Sequence, residues 1–130
     1  MDTNDLGKPH WLDLTVPNAE QVRDFYSAVC GWGTVPHPMG DYTDYSMTAA
    51  DGQTVAGVCH ARGDNAGYPA MWLPYVNVPS LAEALTAAED KGGKVVVPMR
   101  DLGSGFTAVI QDPAGACMAL WEAKEPPSDR

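Results

Sequence analysis

WLDLTVPNAEQVRDFYSAVCG, residues 11–31, reads as a strand followed at once by a helix. From Trp11 to Val16 every second side chain (Leu12, Leu14, Val16) is aliphatic, the period of a strand covered on one face. Pro17 and Asn18 interrupt that run. The side-chain oxygen of Asn18 is of the kind that accepts a free first-turn amide, which predicts an N-cap. Ala19, Val22, Phe25, Tyr26 and Val29 then recur at steps of three and four, predicting one apolar helix stripe, and Gly31 offers a C-terminal cap.

The same order returns at Leu73 to Gly93. Tyr75 to Val78 reads as a strand, Ser80 as an N-cap, Leu81, Ala84, Leu85 and Ala88 as a stripe, and Gly92-Gly93 as the stop. Val16 and Val78 are 62 positions apart, and so are Gly31 and Gly93. The turn at Asp51-Gly52 has its echo in Asp112 to Gly115 (DPAG), each ahead of an apolar run. Two copies are fewer than a solenoid needs, so the pattern predicts a duplicated half-domain.

A chain of 130 residues has room for one domain, 1–130, with modules at about 8–60 and 70–123. Eight basic against 17 acidic residues give a net charge of −9, which repels phosphate backbones and argues against nucleic acid as a partner. The opening MDTNDLGKPH lacks the pattern of a secretory signal, and no apolar run is long enough to span a bilayer, so no membrane partner is expected. Cys30, Cys59 and Cys117 are odd in number and lack CxxC spacing, the usage of reduced thiols in a cytoplasmic protein.

Between the two strand–helix units, Trp32 to Val35 predicts a short strand stopped by Pro36, with a loop over His37 to Asp41. Tyr42 to Ala49 and Val55 to Cys59 predict a hairpin about Asp51-Gly52, and Arg62 to Pro69 a polar connector. In the second half, Lys94 to Val97 predicts a strand ended by Pro98. Gly105 to Gln111 and Cys117 to Trp121 follow as strands about the DPAG turn, and the tail from Lys124 reads as frayed.

A duplicated βαβββ unit carrying LTVPNAEQVRDFYSAVCGW, VAGV and AVIQDPAGACMALW resembles the glyoxalase/bleomycin-resistance/extradiol-dioxygenase (vicinal oxygen chelate) superfamily over roughly residues 8 to 123. The resemblance implies an α+β fold in which each module curls a four-stranded sheet with one helix, the two forming a cup-like cavity. It also implies a homodimer. Members range from metal-dependent isomerases, lyases and dioxygenases to metal-free drug-binding proteins, so the fold alone does not choose a chemistry.

Strand parity turns Leu12, Leu14 and Val16 toward the helix and Trp11, Asp13 and Thr15 toward the cup. The 62-residue offset carries this to Leu73, Tyr75 and Asn77. In metal-bearing relatives a His opens each of these strands and a Glu comes from the last strand of each half. The matching positions here are Trp11, Leu73, Gly57 and Ala119, none of which supplies a metal donor. No metal and no other cofactor is therefore expected. Of the three histidines, His10 would face inward only if the strand slipped by one residue, which would bury Asp13 against the helix. His60 has the wrong parity, and His37 lies between prolines.

Asp13, a carboxylate in an aliphatic strand, is the weak candidate for a catalytic base, or a group that binds a cationic or hydroxylated ligand. The alternative is that it pairs with Arg23, Arg100 or a backbone donor. Cys59 and Cys117 share the cup parity but lack a positioned His, so inert thiols are expected. The expected ligand-binding set is Trp11, Asp13, Tyr45, Met47, Leu73, Tyr75, Asn77 and Trp121, large groups that line a pocket for a flat organic molecule or fill it. The reading is a metal-free member that binds a small, partly aromatic molecule. An enzyme of the glyoxalase, lyase or dioxygenase type and a structural module with a filled cup stand as alternatives.

Overall fold

In the computed structural model, which describes residues 5–124, the chain is α+β and runs strand–helix–strand–strand–strand twice. The elements are β1 (Pro9–Val16), α1 (Ala19–Cys30), β2 (Gly33–Pro38), β3 (Thr43–Thr48), β4 (Thr54–His60), a short 3-10 turn (Gly63–Asn65), β5 (Leu73–Asn77), α2 (Leu81–Asp90), β6 (Lys94–Asp101), β7 (Gly105–Gln111) and β8 (Cys117–Ala123). They form two compact units, one of residues 11–73 and one of residues 5–10 with 74–124. The predicted tail beyond Lys124 lies outside the described residues.

In the first unit the strand order is β2-β3-β4-β1, antiparallel except for the parallel pair of β1 and β4. Leu14 and Val16, buried, meet Ala19 of α1 together with Tyr45, Met47, Ala56 and Val58, and Leu12, Val22 and Tyr26 pack around them. Burying groups of this size stabilises by roughly 1.5–3 kcal/mol each, so this helix-side core holds the unit together. An aromatic cluster extends it. Trp72 meets Tyr26 and Trp32 edge-on, with ring centroids 5.1 and 5.9 Å away, and its Nε1–H donates to the Tyr26 hydroxyl at 2.9 Å.

The second unit repeats the register. Asp13 faces Gly57 and Leu14 faces Val58 in the first, and Tyr75 faces Ala119 and Val76 faces Leu120 in the second, each residue displaced by 62. Leu81, fully buried like its counterpart Ala19, packs on Ala108 and Leu120, with Val76, Leu85 and Ile110 around them. The strand order β5-β8-β7-β6 mirrors the first unit.

Gly31 and Ser80 cap their helices as expected, and Asn18 does not. Gly31 caps α1 in the left-handed conformation (φ 72°), with its N–H bonded to the Ser27 carbonyl. Ser80 accepts the Glu83 N–H at 3.2 Å, as expected. Asn18 does not cap α1, because its amide turns to Gln21 Oε1 at 2.9 Å. Phe25 and Val29, expected in the buried stripe, are 57% and 65% exposed, since Ala19, Val22 and Tyr26 already fill the contact with the sheet.

The prolines mislead at two strands. β2 continues through Pro36 and Pro38 where a loop is expected, because it is an exposed edge that needs no N–H on its outer side. β6 continues past Pro98 to Asp101, with its ladder irregular from Val95 to Arg100.

Candidate functional site

On the first unit, the face of β1 and β4 away from α1 carries Trp11, Asp13, Thr15, Gly57 and Cys59. Leu14 and Val58 between them point to the helix, and side chains alternate along a strand. Asp13 is the centre of this face. Its Oδ1 accepts the Trp11 indole N–H at 3.0 Å and the Cys59 thiol at 3.9 Å. Arg23, one of the partners considered from the sequence, pairs with Asp24 instead.

Burial deprives the Asp13 carboxylate of water and pushes its pKa up from 3.8 to about 6. The bonds from Trp11 and Cys59 pull the other way, and the charge of Asp44 adds to the rise. The Cys59 thiol is pushed up strongly, first by burial and then by the charges of Asp13 and Asp44, so it is a poor nucleophile. Asp44, a buried residue of β3, therefore belongs to this constellation although its sequence context did not single it out. Its signal is parity: it stands one step from Tyr45, whose side chain is in the helix-side core.

That same parity corrects two expected ligand residues. Tyr45 pairs with Val58 and Met47 with Ala56, so both lie on the helix face rather than beside Asp13. Met47 is fully buried there, and the Tyr45 hydroxyl donates to Glu20 of α1 at 2.8 Å. The choice from the sequence followed residue type. The register of β3 against β4 decides the face. Leu73 is buried at 2% exposure.

On the second unit, the face away from α2 carries Tyr75, Ala119 and Val109 in one row and Asn77, Trp121 and Thr107 in the next. Asn77 is almost wholly buried. Its amide donates to the Asp5 carbonyl at 3.1 Å and its backbone bonds to Gly7 and Lys8. Its Oδ1 has no hydrogen-bond partner among the described residues. The Trp121 ring lies against Gly105, where a Cβ would come within 2.8 Å of Cε2, and the His10 ring is 6.2 Å away.

The donor set does not fit the divalent metal of the catalytic relatives. A Cβ at Gly57 would run into Asp13 Oδ1 and lie 3.3 Å from the Trp11 ring, so these two side chains fill the space of a ligand at that position. Among the described residues no three of His, Cys, Asp and Glu come together as a metal-holding group. His10 and His37 are exposed, with His37 Nε2 2.6 Å from Ser46 Oγ, and His60 turns to the helix side. What the face offers is an indole, a half-buried acid and the polar edge of Thr15. Such a surface can stack a flat ring and accept a hydrogen bond from it. Among the described residues no helix is long and apolar enough to cross a membrane.

Comparison with known proteins agrees with this architecture. The family model described as Glyoxalase/Bleomycin resistance protein/Dioxygenase superfamily matches residues 8–120. The anthracycline biosynthesis protein DnrV of Streptomyces peucetius is 38% identical over 132 residues, covering 88% of this chain and 46% of DnrV. CFP32 of Mycobacterium tuberculosis, named provisionally as a glyoxylase, is 32% identical over 120 residues, covering 90% of this chain and 46% of CFP32. The chain thus spans about half the length of these relatives. Methylmalonyl-CoA epimerase from Mycobacterium tuberculosis superposes with a TM-score of 0.57 at 14% identity, covering 96% of this chain and 94% of the epimerase, a likeness of fold alone.

Proposed function

Because the chain belongs to the glyoxalase/bleomycin-resistance/dioxygenase superfamily, we propose that it is a metal-free member that binds a small, partly aromatic molecule on the face built around Asp13. The observation that carries this reading is the Trp11–Asp13 pair seated over Gly57, an indole and a carboxylate where catalytic relatives place a metal ligand. Aromatic stacking on Trp11 with a hydrogen bond to Asp13 needs no metal. The likeness to DnrV, named for anthracycline biosynthesis, supports a ligand with fused rings, since anthracyclines are planar and hydroxylated. Of the expected ligand set, Trp11 and Asp13 carry this proposal, while Tyr75, Asn77 and Trp121 lie on the second unit's own face away from α2. The same reading takes the protein to be cytoplasmic, as its unpaired cysteines suggest, and a homodimer, as the family resemblance implies.

The test is a fluorescence titration of chelator-treated protein with 1,4-dihydroxyanthraquinone. Saturable quenching that Trp11→Phe weakens at least fivefold is the expected result. Absence of quenching, or binding that needs a stoichiometric divalent ion, overturns the reading.

One observation favours a second reading. A carboxylate whose pKa sits near 6 is poised to act as a base, so Asp13 could abstract a proton beside a carbonyl. Deuterium uptake from solvent into a bound carbon acid, abolished by Asp13→Asn with binding retained, would select an enzyme over a binding protein.

A further inference from the structure

His60 closes β4 and is buried on the side of α1, behind the face that carries Asp13. Its Nε2 lies 3.0 Å from Oε1 of Glu20, the second residue of α1, and its Nδ1 3.4 Å from Oδ1 of Asp44 on β3. The His60 backbone N–H donates to that same Asp44 oxygen at 2.8 Å. The Tyr42 ring meets the imidazole edge-on at 5.4 Å, with Arg62 stacked over Tyr42 at 4.5 Å and paired to Asp41. The Tyr45 hydroxyl donates to the other oxygen of Glu20, and Arg23 lies 4.6 Å over the Tyr45 ring. Val16, the partner of His60 on β1, brings no charge.

A neutral imidazole carries one N–H and a cationic one carries two. Since a carboxylate oxygen stands at each ring nitrogen, only the cationic ring donates to both. The neutral ring turns a lone pair toward one of them, and that contact becomes repulsive. Asp44 keeps its backbone donor and Glu20 keeps Tyr45 in either state. What is lost is the bridge through the ring from α1 to β3.

We propose that His60 is a pH-operated clasp: its second proton ties the first turn of α1 to β3, and loss of that proton loosens the turn. Asp44 stands at the junction, because its charge also acts on Asp13 and Cys59. The clasp itself does not depend on any ligand being bound at the face that carries Asp13.

Amide hydrogen exchange followed by NMR between pH 5 and 8, normalised to intrinsic rates, tests the clasp. The probe is the Val22 N–H, bonded to the Asn18 carbonyl at 3.1 Å, and the control is the Ala84 N–H, bonded to Ser80 in α2. Protection at Val22 should fall about two- to fivefold between pH 5 and pH 8, the size of a partly solvated ion pair, while Ala84 stays level. His60→Gln should flatten the Val22 profile. Glu20→Gln should do the same from an exposed position, and it carries the test if the His60 variant fails to fold. A flat profile in the wild type, or a pH dependence that survives either substitution, overturns the clasp.

Discussion

Asp13 and Gly57 face each other across the parallel pair of β1 and β4, and the carboxylate of the first fills the space that a side chain on the second would need. The exclusion is mutual. A larger residue at 57 requires Asp13 to leave its bond with Trp11, and Asp13 in place requires glycine at 57.

Gly57→Ala is therefore expected to destabilise the protein by about 1–3 kcal/mol, the usual cost of overfilling a packed site. In urea denaturation, most of that loss should vanish when Asp13→Ala is made in the same chain. Two costs that simply add would show that the residues do not compete for one space.

Asp13 also fixes a pH dependence. Its folded pKa, about 6, stands above the ordinary 3.8, so between roughly pH 4 and 6 the folded protein holds this proton more tightly than the unfolded chain. The contribution to stability is present at low pH and is lost as pH rises through that window. Asp13→Asn should leave stability near pH 4 unchanged and raise it above pH 6 by on the order of 1–3 kcal/mol. Thermal denaturation at four pH values gives the difference between wild type and variant, and a difference that does not change with pH refutes the assignment.

The thiols should separate by reactivity. Cys30 is exposed at the end of α1, whereas Cys59 is half-buried with its thiol pushed up by burial and by two carboxylates. At pH 8, iodoacetamide should modify Cys30 at least tenfold faster than Cys59 in the folded protein, with the rates converging in urea. Equal rates in the folded state would mean that Cys59 is neither shielded nor held protonated.

The two helix starts should respond unequally to the same change. Ser80→Ala removes the acceptor of the Glu83 N–H and should cost about 1 kcal/mol. Asn18→Ala removes only an exposed bond to Gln21 and should cost less than half as much. Equal losses by chemical denaturation would restore Asn18 as a cap.

The sequence by itself determined the duplication, the order of elements and which face of β1 meets the helix. Each rests on local periodicity: alternation in Leu12, Leu14 and Val16, a helical repeat in Ala19, Val22 and Tyr26, and one constant offset between the halves. Only the tertiary structure decided which side chains share a face across strands, because register is set by how neighbouring strands pair. It turned Tyr45 and Met47 to the helix, brought Asp44 to Asp13, and seated Asp13 and Trp11 over Gly57. The strands that run on through Pro36, Pro38 and Pro98 escaped the sequence for the same reason. A proline stops a strand only where its missing N–H was needed by a neighbour, and no single chain segment records where its neighbours lie.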